Sequence, residues 1–519
     1  METTDTRDSK DARGLPDFPK SFWKETSRTP AQPMLGNNLT VDVAIVGGGI
    51  AGILSAYRLS KAGVKVALLE ADMLLGGTTA HTTAKLTAQH DLIYDKLIRN
   101  HDETSAKQYY EANNEAITYV KSLIREHQIE CGFSEQDAYI YAQSVDTIKK
   151  LEKEADAYAK LGIPGGFTDS MPLNVPHHGA VVMKGQAQFH PLQFVSALVP
   201  AILEAGGLIF ERTTVQTIEE EGPRPTVITE RGLRVMAEHV LVCSHFPFYD
   251  KHGLYFARLH AERSYVLGVR TGETYPGGMY LSADEPKRSI RLAESADGGK
   301  LLLVGGEGHK TGQGVCTIDY YESLRTFALE HFQVEDIPYR WSAQDLVTLD
   351  DIPYVGKLTE ERPRILLATG FAKWGMTNAV NASAILADAV LERDNAYAEL
   401  FSPQRFHAVP DIKNAIVQNA DVFKHLVAGK VELIRQSPDD IGHDEGGVVT
   451  IAGKRAGAYR DDTGKLYLVD TTCTHMGCEV EWNEGERSWD CPCHGSRFAY
   501  DGEVLEGPAK KPLQRIMKS

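Results

Sequence analysis

The chain has 519 residues, of which 42% are hydrophobic and 24% charged, and its formal net charge at pH 7 is −16. This composition is ordinary for globular proteins, so it excludes an intrinsically disordered chain and a small disulfide-rich scaffold. The length predicts about two to four domains. The acidic balance argues against a nucleic-acid-binding protein, because attraction to phosphate needs a basic surface.

The distribution of apolar residues bears on the location of the protein. No run of about 18 uninterrupted apolar residues occurs, so we expect no membrane span. The first residues, METTDTRDSKDARG, are polar and lack both the apolar segment of a secretion signal and a twin arginine. The sequence therefore predicts a cytoplasmic protein.

The first regular unit follows a polar segment, residues 1–40, that we interpret as an N-terminal arm. Residues 41–46 form a short apolar run rich in β-branched side chains, which is typical of a buried strand. A glycine-rich segment, a helical stretch that ends at Gly63 and a second apolar strand that ends at Glu70 come next. This order predicts a β-α-β unit of about 30 residues.

The glycine-rich segment of this unit has the spacing of a dinucleotide-binding turn. Gly47, Gly49 and Gly52 form a G-x-G-x-x-G pattern between strand and helix. Such glycines let the backbone approach a pyrophosphate at the positively polarised start of the helix. Glu70 follows Gly49 by 21 residues, where an acid can bind ribose hydroxyls. The unit therefore predicts a bound dinucleotide, either FAD or NAD.

The remaining elements suggest one large domain and one small one. Residues 80–160 have a largely helical pattern, and residues 180–350 alternate β-branched runs with Gly and Pro turns. Residues 363–398 again predict a strand, a glycine-rich turn and a helix. We interpret residues 401–434 as a connecting segment. Short strands with glycine turns from residue 435 to the end predict a small all-β domain.

The cysteines are unevenly distributed. Three are scattered through the larger part of the chain and are interpreted as small buried hydrophobic residues: Cys131, Cys243 and Cys316. Four others fall within 21 positions near the C-terminus: Cys473, Cys478, Cys491 and Cys493. The local patterns there are C-x-H, ending at His475, and C-x-x-H, ending at His494. A zinc finger would separate cysteine and histidine pairs, whereas here each loop supplies one of each.

These two mixed motifs resemble those of the Rieske family over about residues 435–519. In a Rieske centre two thiolates hold one iron and two imidazoles hold the other. The resemblance implies a [2Fe–2S] cluster with four ligands: Cys473, His475, Cys491 and His494. Residues 507–509, Gly-Pro-Ala, resemble the third loop that shields the cluster.

The Rieske resemblance also implies roles for residues around the ligands. In quinol-oxidising members the cysteines that match Cys478 and Cys493 form a disulfide that links the two loops. The resemblance therefore implies a Cys478–Cys493 disulfide here, although a reducing cytosol argues against it. Ser496 matches a serine whose hydroxyl donates to a sulfide. Phe498 lies where members of high potential have tyrosine, so one potential-raising hydrogen bond is missing.

Three further segments resemble the D-amino-acid oxidase-like (DAO) superfamily of FAD oxidoreductases. They are residues 76–86 (GGTTAHTTAKL), 188–191 (QFHP) and 368–378 (ATGFAKWGMTN). The resemblance covers about residues 40–400. It implies an α/β fold with a central antiparallel sheet, an FAD-binding domain at 41–400 and FAD as the dinucleotide. The implied FAD-binding residues are Gly47, Gly49, Gly52, Glu70, Thr78, Thr79, His81, Val215, Gly370, Gly375, Met376 and Thr377.

His81 has two interpretations. In related dehydrogenases a Gly-Ser/Thr-Thr-x-His segment carries a histidine bonded covalently to the flavin, and residues 77–81 (GTTAH) resemble it with Ala80 in place of the usual tryptophan. The other interpretation is a neutral histidine packed beside non-covalent FAD. A covalent bond would raise the flavin potential.

Candidates for substrate contacts are fewer. In glycine-oxidase-like members an arginine before an apolar strand binds the substrate carboxylate, and Arg291 has this position. His245 and Lys373 are further catalytic candidates. Tyr265, Tyr280 and His309 could also reach the pocket, although a structural role is the simpler interpretation for each.

Together the two cofactors predict an enzyme. FAD accepts two electrons as hydride and a Rieske cluster carries one, so we expect FAD to oxidise an amine or amino-acid-like substrate and the cluster to relay electrons to an acceptor or redox partner protein. One alternative is an electron-transfer or redox-sensing protein that serves a partner. A Rieske oxygenase would need a 2-His-1-carboxylate iron site. The nearest residues, Asp250, His252 and His260, have the wrong spacing.

Overall fold

The computed structural model describes residues 9–250, 253–294, 299–314, 317–405 and 436–516. Its helices are α1 (Phe22–Glu25), α2 (Ile50–Lys61), α3 (Tyr94–Asn100), α4 (Glu103–Glu126), α5 (Val145–Leu161), α6 (Pro191–Ser196), α7 (Val199–Glu204), α8 (Ile318–His331), α9 (Gly375–Val390) and α10 (Ala398–Phe401). In this described part of the chain, every helix is too short or too polar to cross a bilayer.

Seventeen strands of the described residues build the larger domain. They are β1 (Leu39–Val46), β2 (Val66–Leu69), β3 (Lys85–Leu86), β4 (Ser134–Ala142), β5 (Gly165–Thr168), β6 (Gly179–Gln188), β7 (Leu208–Phe210), β8 (Val215–Glu219), β9 (Thr226–Thr229), β10 (Arg234–Val242), β11 (Leu259–Thr271), β12 (Met279–Ser282), β13 (Arg288–Glu294), β14 (Lys300–Lys310), β15 (Val334–Thr348), β16 (Tyr354–Lys357) and β17 (Ile365–Thr369).

The first sheet is a parallel core with antiparallel additions. Its order is β16-β17-β10-β1-β2-β7, and the strands from β17 to β7 run parallel. All four residues of β2 and most of β1 are buried, as their apolar composition predicts. Helix α2 joins β1 to β2 and packs against α9. The predicted β-α-β unit is therefore present, and the carboxyl ends of β1, β2, β10 and β17 meet at one edge.

The second sheet forms the other layer of the larger domain. Its order is β15-β11-β14-β13-β12-β4-β6-β3, and neighbouring strands are antiparallel except for the parallel pair of β12 and β4. Residues 80–160 are not as uniformly helical as the sequence pattern indicated, because β4 lies within them between α4 and α5. Its backbone pairs with both β6 and β12, so tertiary pairing overrides the local pattern.

The C-terminal domain is all-β, as predicted. One antiparallel sheet contains β18 (Glu445–Ile451), β19 (Lys454–Arg460) and β20 (Leu466–Val469). The other contains β21 (Glu481–Asn483), β22 (Ser488–Asp490), β23 (Arg497–Ala499) and β24 (Val504–Glu506). The connecting segment predicted at 401–434 lies mostly outside the described residues, as do His252 and Cys316.

The N-terminal arm is not merely a polar extension. Phe22 and Trp23 are 2% and 0% exposed and belong to the main hydrophobic core of the larger domain. Arg340 of β15 donates to the carbonyls of Pro16 at 2.5 Å and Asp17 at 2.8 Å. Arg487 of the C-terminal domain donates to the same Asp17 carbonyl at 2.7 Å. The arm therefore contacts both domains.

Candidate functional site

The glycine-rich turn between β1 and α2 is shaped by close backbone contacts. Gly47 has a φ of +111°, and a Cβ there would lie 2.4 Å from the carbonyl oxygen of Cys243. A Cβ on Gly52 would lie 1.9 Å from the Gly47 carbonyl oxygen. At Gly49 a Cβ would meet only the Thr79 hydroxyl, at 3.3 Å. Packing therefore requires Gly47 and Gly52, whereas Gly49 borders space that a pyrophosphate can use.

Glu70 lies beside this turn at the end of β2. Its carboxylate accepts hydrogen bonds from the amides of Gly48 at 2.6 Å and Asp72 at 2.9 Å. Burial raises its pKa. The Thr213 amide donates to the Glu70 carbonyl at 2.8 Å, which places Val215, at the start of β8, near the acid. This edge can accept the ribose and adenine of a nucleotide.

A short 3₁₀ turn, Thr78–Ala80, lies beside the glycine-rich turn. The Thr79 hydroxyl accepts a hydrogen bond from the Ile50 amide at 3.2 Å, at the start of α2. The Thr78 hydroxyl lies 3.5 Å from the carbonyl oxygen of Gln344 on β15. The segment therefore joins the nucleotide turn to the second sheet.

His81 closes this turn. Its Nδ1 lies 2.9 Å from the Gly77 carbonyl oxygen, and with Nδ1 as the donor Nε2 carries the lone pair. Burial lowers the pKa of the imidazole, which is therefore neutral at pH 7. Both interpretations of His81 stay open, since a neutral Nε2 suits a covalent bond and simple packing equally. The colour of the pellet after acid precipitation separates them.

The turn after β17 completes the cavity. The Thr369 hydroxyl donates to the His245 carbonyl at 2.6 Å, so the ends of β17 and β10 are joined. Gly370 has a φ of +76°, and a Cβ there would lie 2.4 Å from the Thr348 Cγ2. The buried His245 side chain has no hydrogen-bond partner for Nε2 among the described atoms.

Helix α9 starts at this turn. A Cβ on Gly375 would have no atom closer than 4.0 Å, so its surroundings are open. Met376 and Thr377 are buried, and the Thr377 hydroxyl donates to the Thr87 carbonyl at 3.1 Å. The start of α9 is thus fixed at the cavity, where its positively polarised end can stabilise negative charge on a ligand.

Lys373, in the same turn, forms an ion pair that the sequence did not indicate. Its ammonium lies 2.8 Å from the Glu262 carboxylate, which also lies 3.3 Å from His260 Nε2. Burial acts to lower the pKa of Lys373, but Glu262 and Asp345 outweigh it, so the pKa is raised. Burial raises the pKa of Asp345 to about 7. Lys373 is therefore a fixed positive charge and not a free base.

The other pocket candidates occupy different places. Arg291 contacts residues 84, 189 and 23. Tyr265 and His309 contact each other, with the hydroxyl 3.2 Å from Nε2. The Tyr280 hydroxyl donates to the Gly277 carbonyl at 2.7 Å. Among the described residues, no hydrogen bond or ion pair joins Arg291, His245 and Lys373 to one another, and their catalytic roles stay predictions.

The C-terminal motifs converge on one small volume. The rings of His475 and His494 are perpendicular, with centroids 5.0 Å apart. Cys473 and Cys491 are unoxidised and buried, and a hydrogen bond from Cys491 lowers the pKa of Cys473. Burial lowers the pKa of His494 to about 4, and its Nδ1 is buried without a hydrogen-bond partner. A neutral imidazole with an unused nitrogen beside two thiols is a suitable donor set for a cluster.

The remaining two cysteines of this region form a disulfide. Cys478 and Cys493 are joined, with their Cα atoms 6.6 Å apart. Their sulfurs lie within 4.8 Å of Cys491 Sγ and so form a second possible metal-binding group with it. Sulfurs in a disulfide are poor ligands, so we favour Cys473 and Cys491 as the thiolates.

Ser496 and Phe498 lie near the cysteines of this centre. The Ser496 hydroxyl contacts Cys473 and accepts a hydrogen bond from the Ala509 amide at 3.0 Å. Ala509 belongs to the predicted third loop. Phe498 is fully buried on β23. Ser496 can therefore donate to sulfur, whereas Phe498 cannot.

An oxygenase-type iron site finds no support in the described residues. The Asp250 carboxylate caps a turn by accepting hydrogen bonds from the amides of Tyr255 and, at 2.7 Å, Phe256. His260 is paired with Glu262. No group of three ligand atoms within 4.8 Å of one another includes Asp250 and His260.

Comparison with known proteins agrees with both sites. Residues 42–389 match the family described as FAD dependent oxidoreductase (DAO). The chain belongs to this family. Residues 433–517 match the Rieske [2Fe-2S] domain. The larger domain, called the flavin domain below, therefore binds FAD, and the Rieske domain binds a [2Fe–2S] cluster, as the sequence predicted.

Relatives of this DAO-family chain include one of the same domain composition. A Bacillus subtilis (strain 168) protein described as a Rieske 2Fe-2S iron-sulfur protein, YhfW, is 50% identical over 96% of this chain and 97% of its own length. Gamma-glutamylputrescine oxidoreductase of Escherichia coli (strain K12) is 24% identical over 70% of this chain and 88% of its own. Glycine oxidase from Geobacillus kaustophilus has the same fold, with a TM-score of 0.61 and 20% identity over 71% of this chain and 100% of its own.

Replacing Gly49 with valine should prevent FAD binding, because the side chain would enter the space left for the pyrophosphate. We expect at least a roughly tenfold lower FAD content after purification. Gly36→Val is the matched control, since a Cβ at Gly36 meets no atom within 4 Å. Full FAD occupancy in Gly49→Val, measured from flavin absorbance per chain, would contradict this assignment.

Replacing Ser496 with alanine should lower the reduction potential of the cluster. One hydrogen bond to a charged sulfur contributes about 1.5–3 kcal/mol, or roughly 60–130 mV for one electron. Phe498→Tyr should raise the potential, because it supplies a hydroxyl. Redox titration followed by EPR measures both shifts, and an unchanged potential in both variants would mean that neither residue acts on the sulfurs.

Proposed function

We propose that the protein oxidises an amine that carries a carboxylate, with FAD accepting hydride and the Rieske cluster passing electrons singly to an external acceptor. The observation that carries this proposal is a buried guanidinium, Arg291, beside a half-buried amine, Lys85, with no carboxylate paired to either among the described residues. The names of the relatives, which refer to glycine and gamma-glutamylputrescine, support an amine or amino-acid-like substrate.

Arg291 is held by neutral groups only. Its side chain donates to the carbonyls of Ala84 at 3.0 Å and Phe189 at 3.4 Å, and Trp23 of the N-terminal arm lies over the guanidinium at 5.2 Å. The residue is 2% exposed, and its Nε has no partner among the described atoms. Burial lowers its pKa to about 9. The guanidinium therefore stays charged at pH 7 and can form further hydrogen bonds.

Lys85 lies close enough to Arg291 for the positive charge of the guanidinium to lower its pKa. Its ammonium donates to the Tyr280 carbonyl at 2.6 Å. Burial, with a smaller contribution from Arg291, lowers its pKa to about 7. The side chain is half-buried. Within the described residues neither cation forms an ion pair with a carboxylate.

An anionic ligand would balance the positive charge of Arg291 and Lys85. Buried charges are normally paired, because an uncompensated charge in the interior costs several kcal/mol. A carboxylate between Arg291 and Lys85 would supply the missing charge and suits the two donor groups of a guanidinium. The substrate amine would then be held at a fixed distance from this anchor, which favours a carboxylate-bearing amine over a simple one.

The reaction needs a neutral amine and a well-placed C–H bond. FAD supplies the hydride acceptor. Arg291 and Lys85 would hold the substrate by its carboxylate. Lys373, fixed by Glu262, would place a positive charge at the turn before α9, where negative charge on the reduced cofactor needs stabilisation. Asp345, with its pKa near 7, is a candidate for accepting the proton of the substrate ammonium.

Anaerobic mixing with amino acids and with the amines that lack their carboxylate tests this proposal. We expect loss of flavin absorbance with one or more amino acids and much slower loss with the matching amine. Equal rates with both would overturn the carboxylate requirement. No reduction by any amine would favour the alternative, an electron-transfer or redox-sensing protein that serves a partner.

Arg291→Met should weaken binding of the carboxylate by about 2–5 kcal/mol, which is at least about thirtyfold, because a buried charge contact is lost. Arg288→Met is the matched control: Arg288 is on the same strand and also buried, but it is already paired with Glu307 at 2.8 Å. The measurement is the substrate concentration that gives half-maximal flavin reduction. Similar values for both variants would contradict the role of Arg291.

Carboxylate binding should depend on the protonation of Lys85. Because the pKa of Lys85 is about 7 without ligand, affinity should be constant below pH 7 and fall by up to about tenfold per unit above it. Arg291 has a pKa of about 9, so its protonation should not alter the carboxylate affinity much below that pH. Titration of the flavin spectrum with benzoate from pH 6 to 8.5 measures this, and Lys85→Met should remove the dependence. A flat profile for the unmodified protein would contradict it.

A further inference from the structure

The Rieske domain is packed firmly against the flavin domain. Arg340 donates to the Gly485 carbonyl at 2.7 Å, and the Tyr321 hydroxyl donates to the Glu486 carboxylate at 2.7 Å. The Gly485 amide donates to the Thr317 hydroxyl at 2.9 Å. These contacts fix one side of the Rieske domain to α8 and β15.

Buried charges from both domains are also shared. Arg263 of β11, with its side chain 2% exposed, lies 3.5 Å from Glu486 and 3.8 Å from Glu506. Arg497 of the Rieske domain lies 3.9 Å and 3.4 Å from the same two carboxylates. Arg497 is paired more closely with Asp490 of its own domain, at 3.0 Å, whereas the carboxylates nearest to Arg263 come from the Rieske domain. Movement of the Rieske domain would therefore leave Arg263 uncompensated.

This packing turns the histidine edge of the metal centre toward the flavin domain. The Phe256 ring lies edge-on to both imidazoles, with centroids 6.1 Å from His475 and 5.7 Å from His494. His494 is 5% exposed. At least one imidazole is thus covered by the flavin domain and does not face solvent.

Gln344 links this edge to the flavin cavity. Its side-chain amide donates to the Gly495 carbonyl at 2.9 Å, one residue after His494. The backbone carbonyl oxygen of Gln344 lies 3.5 Å from the Thr78 hydroxyl, and the Gln344 backbone also contacts the His245 side chain. A Cβ on Gly495 would lie 2.4 Å from the Ala261 Cβ, so the two domains leave no gap at this point.

We propose that Gln344 is a positioning residue that holds the His494 loop against the flavin cavity, so that electrons pass between FAD and the cluster within one chain. This inference rests on the proposed relay. One electron would pass from the reduced, anionic FAD to the oxidised cluster, and an external one-electron acceptor such as ferricyanide would take it from the cluster. A second transfer by the same route would return FAD to its oxidised form, with two acceptor molecules reduced and the one flavin proton released to solvent.

Photochemical reduction of FAD in the holoprotein, followed by time-resolved absorbance and freeze-quench EPR, tests the proposal without a substrate. In Gln344→Met, which keeps the side-chain length but removes the donor, we expect cluster reduction to slow at least tenfold. Cofactor contents, EPR g-values and both reduction potentials should stay as in the unmodified protein. If Gln344 had only a structural role, the variant would change the cofactor contents or the reduction potentials, and not only the rate of cluster reduction.

A second pair of variants separates docking from backbone strain. Gly312 has a φ of +71°, and a Cβ there would lie 2.5 Å from the backbone nitrogen of Pro492, beside the ligand Cys491. Gly185 has a φ of +72° with no atom within 4 Å of a Cβ. Gly312→Ala should therefore slow electron transfer by pushing the domains apart, whereas Gly185→Ala should leave it unchanged.

Several outcomes would overturn the proposal. Transfer at the unmodified rate in Gln344→Met would show that Gln344 does not position the His494 loop for electron transfer, whatever the rate in Gly312→Ala. Loss of the cluster from Gln344→Met would show that Gln344 retains the cluster and does not position it for transfer. Because FAD is reduced by light, failure of every amine to reduce it would bear only on the proposed substrate.

Discussion

The arrangement of the two domains depends on a buried group of charges that neither domain could keep alone. Arg263 comes from the flavin domain, whereas Glu486, Arg497 and Glu506 come from the Rieske domain. Removing one partner from such a group costs about 3–5 kcal/mol, because a charge is left in a poorly solvated place. The Rieske domain is therefore expected to stay docked on the flavin domain. This fixed position determines which flavin-domain residues lie next to the cluster ligands.

The parts of the site that the sequence predicted are those whose chemistry needs a fixed local spacing. A pyrophosphate turn needs Gly47 and Gly49 two positions apart, and a cluster loop needs Cys491 and His494 three apart. In the nucleotide-binding unit the strand, the turn and the helix follow one another in one short segment, so the sequence pattern alone identifies them. The pairing of Cys478 with Cys493 came from the Rieske resemblance and is present in the structure.

Residues whose roles depend on long-range register could not be found in this way. Lys85 and Arg291 are on β3 and β13, far apart in the sequence, and only the tertiary fold brings them close enough to interact. Gln344 and Phe256 have no motif at all, since their importance comes from where the Rieske domain docks. A signal was available for the arm, because Phe22 and Trp23 are unusual in a polar segment, and large aromatic residues are normally buried.

The helical interpretation of residues 80–160 is confirmed for α3, α4 and α5 but is wrong at β4, for a similar reason. The segment of β4, SEQDAYIYA, is polar in its first half, and only its second half has residues typical of a strand. It becomes a strand because both of its edges are paired, with β6 on one side and β12 on the other. The backbone hydrogen bonds to these two neighbouring strands outweigh the local preference of the segment for helix.

The N-terminal arm has a consequence for the order in which the protein forms. It precedes both domains in the sequence, yet the carbonyls of Pro16 and Asp17 are bound by Arg340 and Arg487, from much later in the chain. We therefore expect the arm to reach its final position only after both domains exist. Its Trp23, which covers Arg291, should then be placed late although it precedes both domains in the sequence.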